Sequence, residues 1–168
     1  MSEKKIYDTT EISKRLRKEL KAKYKDLKFS VRTELYAGGS SIHLNVMESK
    51  KTRFIKNFDE INKLEIERLA LARGDSVSQT AKEVSDGQKD LHHSLNQFRL
   101  KDEFKGDCYC NGVYLTEKGF NILKDVYGMT NKYNWDNSDS MTDYFDVNFY
   151  LHIGLGKWDK HFIDGVEC

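Results

Sequence analysis

One segment near the end of the chain admits almost no structure but a strand. Phe145, Val147, Phe149, Leu151, Ile153 and Leu155 occupy every second position, with Asp146, Asn148, Tyr150, His152 and Gly154 between them. A period of two puts the six apolar groups on one face of an extended chain, whereas the same spacing is scattered around a helix. The chain therefore needs a sheet, and the remaining sequence must supply the partners.

A hairpin is the nearest source. Phe29, Val31 and Thr33 alternate with Lys28, Ser30, Arg32 and Glu34, and Ile42, Leu44 and Val46 alternate with Ser41, His43 and Asn45. Gly38-Gly39 between them supplies positive φ for a turn. Each strand has one apolar and one polar face, as in a sheet covered on one side.

Helices account for most of the rest. Asp8 reads as an N-cap with Glu11 completing a capping box, and Ile12, Leu16 and Leu20 recur at every fourth position to about Lys23. A second helix is expected from about Asp59 to Arg73, through Ile61, Leu64, Ile66, Leu69 and Leu71, stopping at Gly74. Leu91 to Phe98 reads as a short helix. Thr116 reads as the N-cap of a further helix, with Leu115 and Phe120 as its hydrophobic staple and Gly128 as its end or bend.

The fold class that follows is α+β. A small antiparallel sheet, hairpin 28–47 plus strand 145–155, packs on helices in the order α-β-β-α-(insertion)-α-β. At 168 residues the chain fits a single domain, 1–168, with 75–112 an insertion or elaboration on the core. Charged residues make up 33%, but 12% aromatics argue for a packed core over disorder.

No apolar run approaches the roughly 18 residues of a membrane span. Met-Ser-Glu-Lys-Lys at the start has no hydrophobic stretch behind it, so no secretory signal and no membrane partner is expected, and the expected location is cytoplasmic. Three cysteines, with Cys108 and Cys110 one residue apart, form no disulfide framework. Proline is absent. A net charge of +1 conceals an asymmetry: residues 1–57 carry 15 Lys/Arg against 7 Asp/Glu, and residues 58–168 carry 13 against 20. A basic front suits a phosphate backbone or an acidic protein, and equally suits attraction between the two halves.

Motifs for chemistry are scarce. Asp136, Asp139 and Asp143 cluster as hard-cation ligands do, but Met141 and Val147 stand where an EF-hand loop requires Gly and Glu. A loop that caps helix ends and turns the chain explains them without a metal. His92-His93 with Cys108 and Cys110 offers soft ligands for zinc at an unusual spacing. There is no nucleophile elbow, phosphate-binding loop or dinucleotide fingerprint, and no cofactor is expected.

Binding is the better-supported class. Arg15, Arg17 and Lys18 lie on the polar face of the basic first helix. Arg32 and His43 lie on the polar face of the hairpin, and Tyr150 and His152 on that of the last strand. If these strands pair, the latter four share one open surface suited to phosphate contact or base stacking, unless a helix from the middle segment covers it.

Three strings carry a resemblance: Lys28-Phe29-Ser30-Val31-Arg32, Gly38-Gly39-Ser40-Ser41-Ile42 and Ser140-Met141-Thr142-Asp143-Tyr144-Phe145. Together they resemble the large polyvalent protein-associated domain family, the twenty-ninth of that series, over residues 6–73 and 115–156. The resemblance implies a helix, a hairpin and a final strand, in proteins of phages and conjugative elements. It brings no catalytic residues. The expected function is a non-catalytic binding protein of a phage or mobile element. Its partner would be a host effector protein or protein–RNA complex, as for an anti-CRISPR counter-defence inhibitor. The alternative is an accessory protein that binds nucleic acid directly.

Overall fold

The computed structural model describes residues 7–90, 92–95, 99–101, 103, 108–109, 113–135, 141 and 147–165. The basic helix α1 (Thr9–Lys23) forms over the expected residues. Its stripe is narrow, but Ile12, Leu16 and Leu20 are wholly buried. Burying each contributes about 2 kcal/mol, and three together rival the net stability of a small domain. Packing therefore holds this helix in place. The expected capping box is absent: Asp8 is the N-cap but its side chain caps nothing, and Glu11 instead pairs with Arg15 at 2.9 Å. A complete capping box occurs elsewhere, at Asn57 and Glu60.

β1 (Leu27–Tyr36) and β2 (Gly39–Ser49) form the hairpin, with Arg32 opposite His43. Gly38 takes the positive φ of the turn, whereas Gly39 already belongs to β2. After a 3₁₀ turn at Phe58–Glu60 come α2 (Lys63–Arg73), closed by left-handed Gly74, and α3 (Val77–Lys89). The helix expected from Asp59 thus starts later, where Asn62 caps the Leu64 amide. It buries Ile66 and Ala70, while Leu64 and Leu71 face outward.

β3 is His93–Ser94, so a strand stands where a short helix was expected; Leu91 and residues 96–98 lie outside the described residues. β4 (Cys108–Tyr109) and β5 (Tyr114–Leu115) make a separate two-stranded pair. α4 (Glu117–Asn131) begins at Thr116, whose side chain accepts from the Gly119 amide, and it runs on past Gly128. Leu115 and Phe120 are both wholly buried.

The last strand, β6 (Tyr150–Leu155), is shorter than its apolar pattern. Phe145 and Asp146 lie outside the described residues. Asn148 and Phe149 spend their backbone groups on the loop after α4: the Asn148 amide donates to the Trp135 carbonyl at 3.0 Å, and the Phe149 carbonyl accepts from the Asn134 side chain at 3.1 Å. Groups used in this way are not available to a ladder.

The fold is α+β, as expected, but its sheet is mixed rather than antiparallel. The order is β1-β2-β6-β3, and β6 runs parallel to β2. A parallel neighbour requires a long crossover, and here the connection carries α2, α3 and α4. Residues from α1, α4 and one face of the sheet join in a single core cluster that includes Leu16, Val31, Leu44, Phe120 and Ile153.

Residues 53–56 are fastened from several sides. Asp164 accepts from the amides of Phe54 at 2.7 Å and Ile55 at 3.0 Å, although burial pushes its carboxyl pKa up. The Thr116 amide donates to the Phe54 carbonyl at 2.8 Å. Gln88 donates to the carbonyls of Lys56 and Tyr114 and accepts from the Tyr114 amide at 2.7 Å, which ties α3 to β5. No helix of the described residues is long and apolar enough to cross a membrane.

Candidate functional site

Strand register decides what the uncovered face carries. Arg32 of β1 lies opposite His43 of β2, and His43 lies opposite His152 of β6. Three adjacent strands therefore set these side chains in one row. Their neighbours Val31, Leu44 and Ile153 are buried in the core, so alternation aims the row away from it.

The two imidazoles stack, with centroids 4.7 Å apart and planes 14° from parallel. His43 donates from Nε2 to a Glu34 carboxylate oxygen at 3.0 Å. Desolvation holds the His152 pKa below its ordinary value, His43 adds to this, and Glu34 opposes it.

The row forms the floor of a cleft of ≈ 480 Å³. Asn45 extends the floor, residues 92–94 form one wall and residues 156–159 another. Among the described residues it is these two segments, not a helix, that border the polar face. Close packing between β3 and β6 requires Gly154. A Cβ there would lie 2.6 Å from the His93 carbonyl oxygen and 2.8 Å from Asn45 Oδ1. His93 is a structural member of the wall: it is buried, donates from Nε2 to the Asp90 carbonyl at 2.8 Å, and burial lowers its pKa.

The other wall turns on Gly156, at φ 66°, a value that side-chain-bearing residues seldom adopt. Lys157 and Lys160 then exchange backbone hydrogen bonds of 2.7 and 3.2 Å, closing a tight turn with Trp158 at its tip. That indole is 82% exposed. A neighbouring depression of ≈ 340 Å³ shares His92 and adds His161, so all five histidines of the chain border these two hollows.

The seven expected binding residues divide into two groups. Arg32, His43 and His152 meet in the cleft, and Tyr150 stands two residues along on the same face, exposed but outside the lining. Arg15, Arg17 and Lys18 lie on α1, on the other side of the sheet. Arg17 is committed to the Val31 carbonyl at 2.6 Å, and Arg15 to Glu11 and the Tyr7 ring, while Lys18 is exposed. Charge attraction between the halves is visible in Lys23–Asp125 at 2.7 Å and Arg53–Glu60 at 2.5 Å.

The candidate metal ligands Asp136, Asp139, Asp143 and Cys110 lie outside the described residues. Among the described residues no three His, Cys, Asp or Glu side chains gather as a metal set. Sequence reasoning passed over Asn45, Lys157 and Trp158. The signal for the last two was present: an aromatic flanked by lysines just after two glycines marks a turn that displays its ring.

A family model described as Large polyvalent protein associated domain 29 matches residues 7–118. The match takes in α1, the hairpin and residues 75–112, and ends before the Ser140–Phe145 string. No curated protein matches, and no solved structure does.

Proposed function

Because this chain belongs to the large polyvalent protein associated domain 29 family, found in phage and mobile elements, we propose that it is a non-catalytic binding protein. It engages the nucleic acid of a host effector complex through the histidine cleft. The row of Arg32, His43 and His152 across three strands carries this reading. Cationic and titratable donors converge there on an open concave surface, as recognition of phosphate requires.

The geometry favours binding over chemistry. Phosphoryl transfer needs attacking and leaving oxygens in line, with acid and base on opposite sides of the phosphorus. Imidazoles stacked at 4.7 Å approach a ligand from the same side. A protein that covers the RNA of a defence nuclease in this way would act as an anti-CRISPR-like counter-defence inhibitor in the host cytoplasm. The basic helix is the weaker candidate surface, because Arg15 and Arg17 already have partners within the fold.

The test is affinity capture from host extract, with and without nuclease treatment. Wild-type protein should retain a nucleoprotein complex that nuclease releases. Arg32→Glu with His152→Glu should lose it, and Arg15→Glu with Arg17→Glu and Lys18→Glu should keep it. Loss in the helix variant alone would refute the assignment, and capture indifferent to nuclease would point to a protein surface as the partner.

A further inference from the structure

We propose that the cleft receives a single-stranded stretch of nucleic acid, with an unpaired base stacked on Trp158 and the adjoining phosphate held by Arg32, Lys157 and the stacked histidines. This rests on the binding role above and names its ligand.

Trp158 is the first observation. An indole 82% exposed leaves a large apolar ring in water, and such rings stack on the faces of bases regardless of sequence. Its mounting is the second. The reciprocal bonds between Lys157 and Lys160 and the turn at Gly156 fix the backbone beneath it, so little order is lost when a base arrives. The third is size. A cleft of ≈ 480 Å³ is in the range of single small-ligand sites, large enough for an unpaired nucleotide and too small for a double helix with its bases stacked inside.

Charge completes the case. Arg32 and Lys157 line the same cleft as Trp158, and Asp159 is the one carboxylate of the lining among the described residues. The groups facing the histidine pair are Arg32 and Glu34 from β1, His92 and His93 from the β3 side, and Lys157 and Asp159 from the turn. A phosphate entering among them favours the protonated form of His152, which desolvation disfavours in the empty cleft. Affinity therefore rises as pH falls through the histidine range.

The experiment is fluorescence anisotropy with labelled single-stranded RNA, single-stranded DNA, matched duplex and heparin, which has charge but no bases. Wild type should bind single strands more tightly than duplex, and more tightly at pH 5.8 than at pH 7.5. Trp158→Ala should weaken single-strand binding roughly tenfold and leave heparin binding unchanged. Arg32→Ala with Lys157→Ala should weaken both and reduce the salt slope by about 0.7, the value for one phosphate contact on a single strand. The exposed position of Trp158 means the variant should keep its melting temperature, which confirms folding.

Equal binding of duplex and single strand, or full single-strand affinity in Trp158→Ala, would overturn the inference while leaving an anion-binding cleft. If the Arg32 and Lys157 variant binds every probe as wild type does, the binding role assigned to the cleft fails with it. No binding of any single strand by wild type overturns the inference outright.

Discussion

On one face of the sheet Val31, Leu44 and Ile153 are sealed beneath helices. On the other, one residue along each strand, Arg32, His43 and His152 floor an open cleft. The strands and their hydrogen bonds are the same for both faces, and only the side chains differ. The covered face gains its stability from removal of apolar area from water, at about 25 cal/mol per Å². The open face carries groups whose desolvation costs more than it returns unless a partner satisfies them. Stability and recognition can therefore be changed separately by mutating alternate residues of one strand.

The largest effect should come from the covered face. Leu44→Ala should lose about 3 kcal/mol in urea denaturation, because it leaves a cavity under α1. A loss below 1 kcal/mol would mean the two faces are not distinct. Gln88→Ala removes three hydrogen bonds, two accepted by the Lys56 and Tyr114 carbonyls and one donated by the Tyr114 amide, and should cost about 2 kcal/mol in the same assay. Gly154→Ala should cost about 1–3 kcal/mol through overpacking. It should also shift the NMR resonances of His92 to Ser94, because the added methyl pushes against the His93 carbonyl.

The pH response sharpens the same contrast. His93 and His152 both have folded pKa values below the ordinary 6.5, so the unfolded chain binds their protons more readily. Their contribution to stability is complete above about pH 6.5 and declines as pH falls through the lowered values. Thermal melts from pH 8 to pH 5 should show the decline, and His93→Gln should flatten it. Smallest of all, His152→Ala should change stability by less than about 1 kcal/mol, since it touches only the open face.

Much of this was legible in the sequence, for identifiable reasons. Alternation exposed β1, β2 and β6 because each has one covered face, and the same alternation placed Arg32, His43 and His152 on the other. The four-residue repeat of Ile12, Leu16 and Leu20 marked α1 exactly where its buried stripe lies. What escaped depends on distant contacts. The parallel pairing of β6 is a property of the crossover, not of either strand. The early part of the last strand is diverted by Asn134 and Trp135, which no local pattern reveals. β3 exists because Gly154 lets it approach, and Trp158 joins the site only because Gly156 turns the chain back over it.

The central claim is that the open face is the binding face. The most direct measurement follows the imidazole resonances of all five histidines, and the methyls of Leu16 and Leu44, while single-stranded RNA is titrated in. The expected result is that the His43 and His152 resonances shift, and that His152, whose pKa is lowered in the free protein, titrates at higher pH when RNA is bound, while the covered methyls stay fixed. Silent histidines, with changes confined to α1 around Arg15, Arg17 and Lys18, would contradict it.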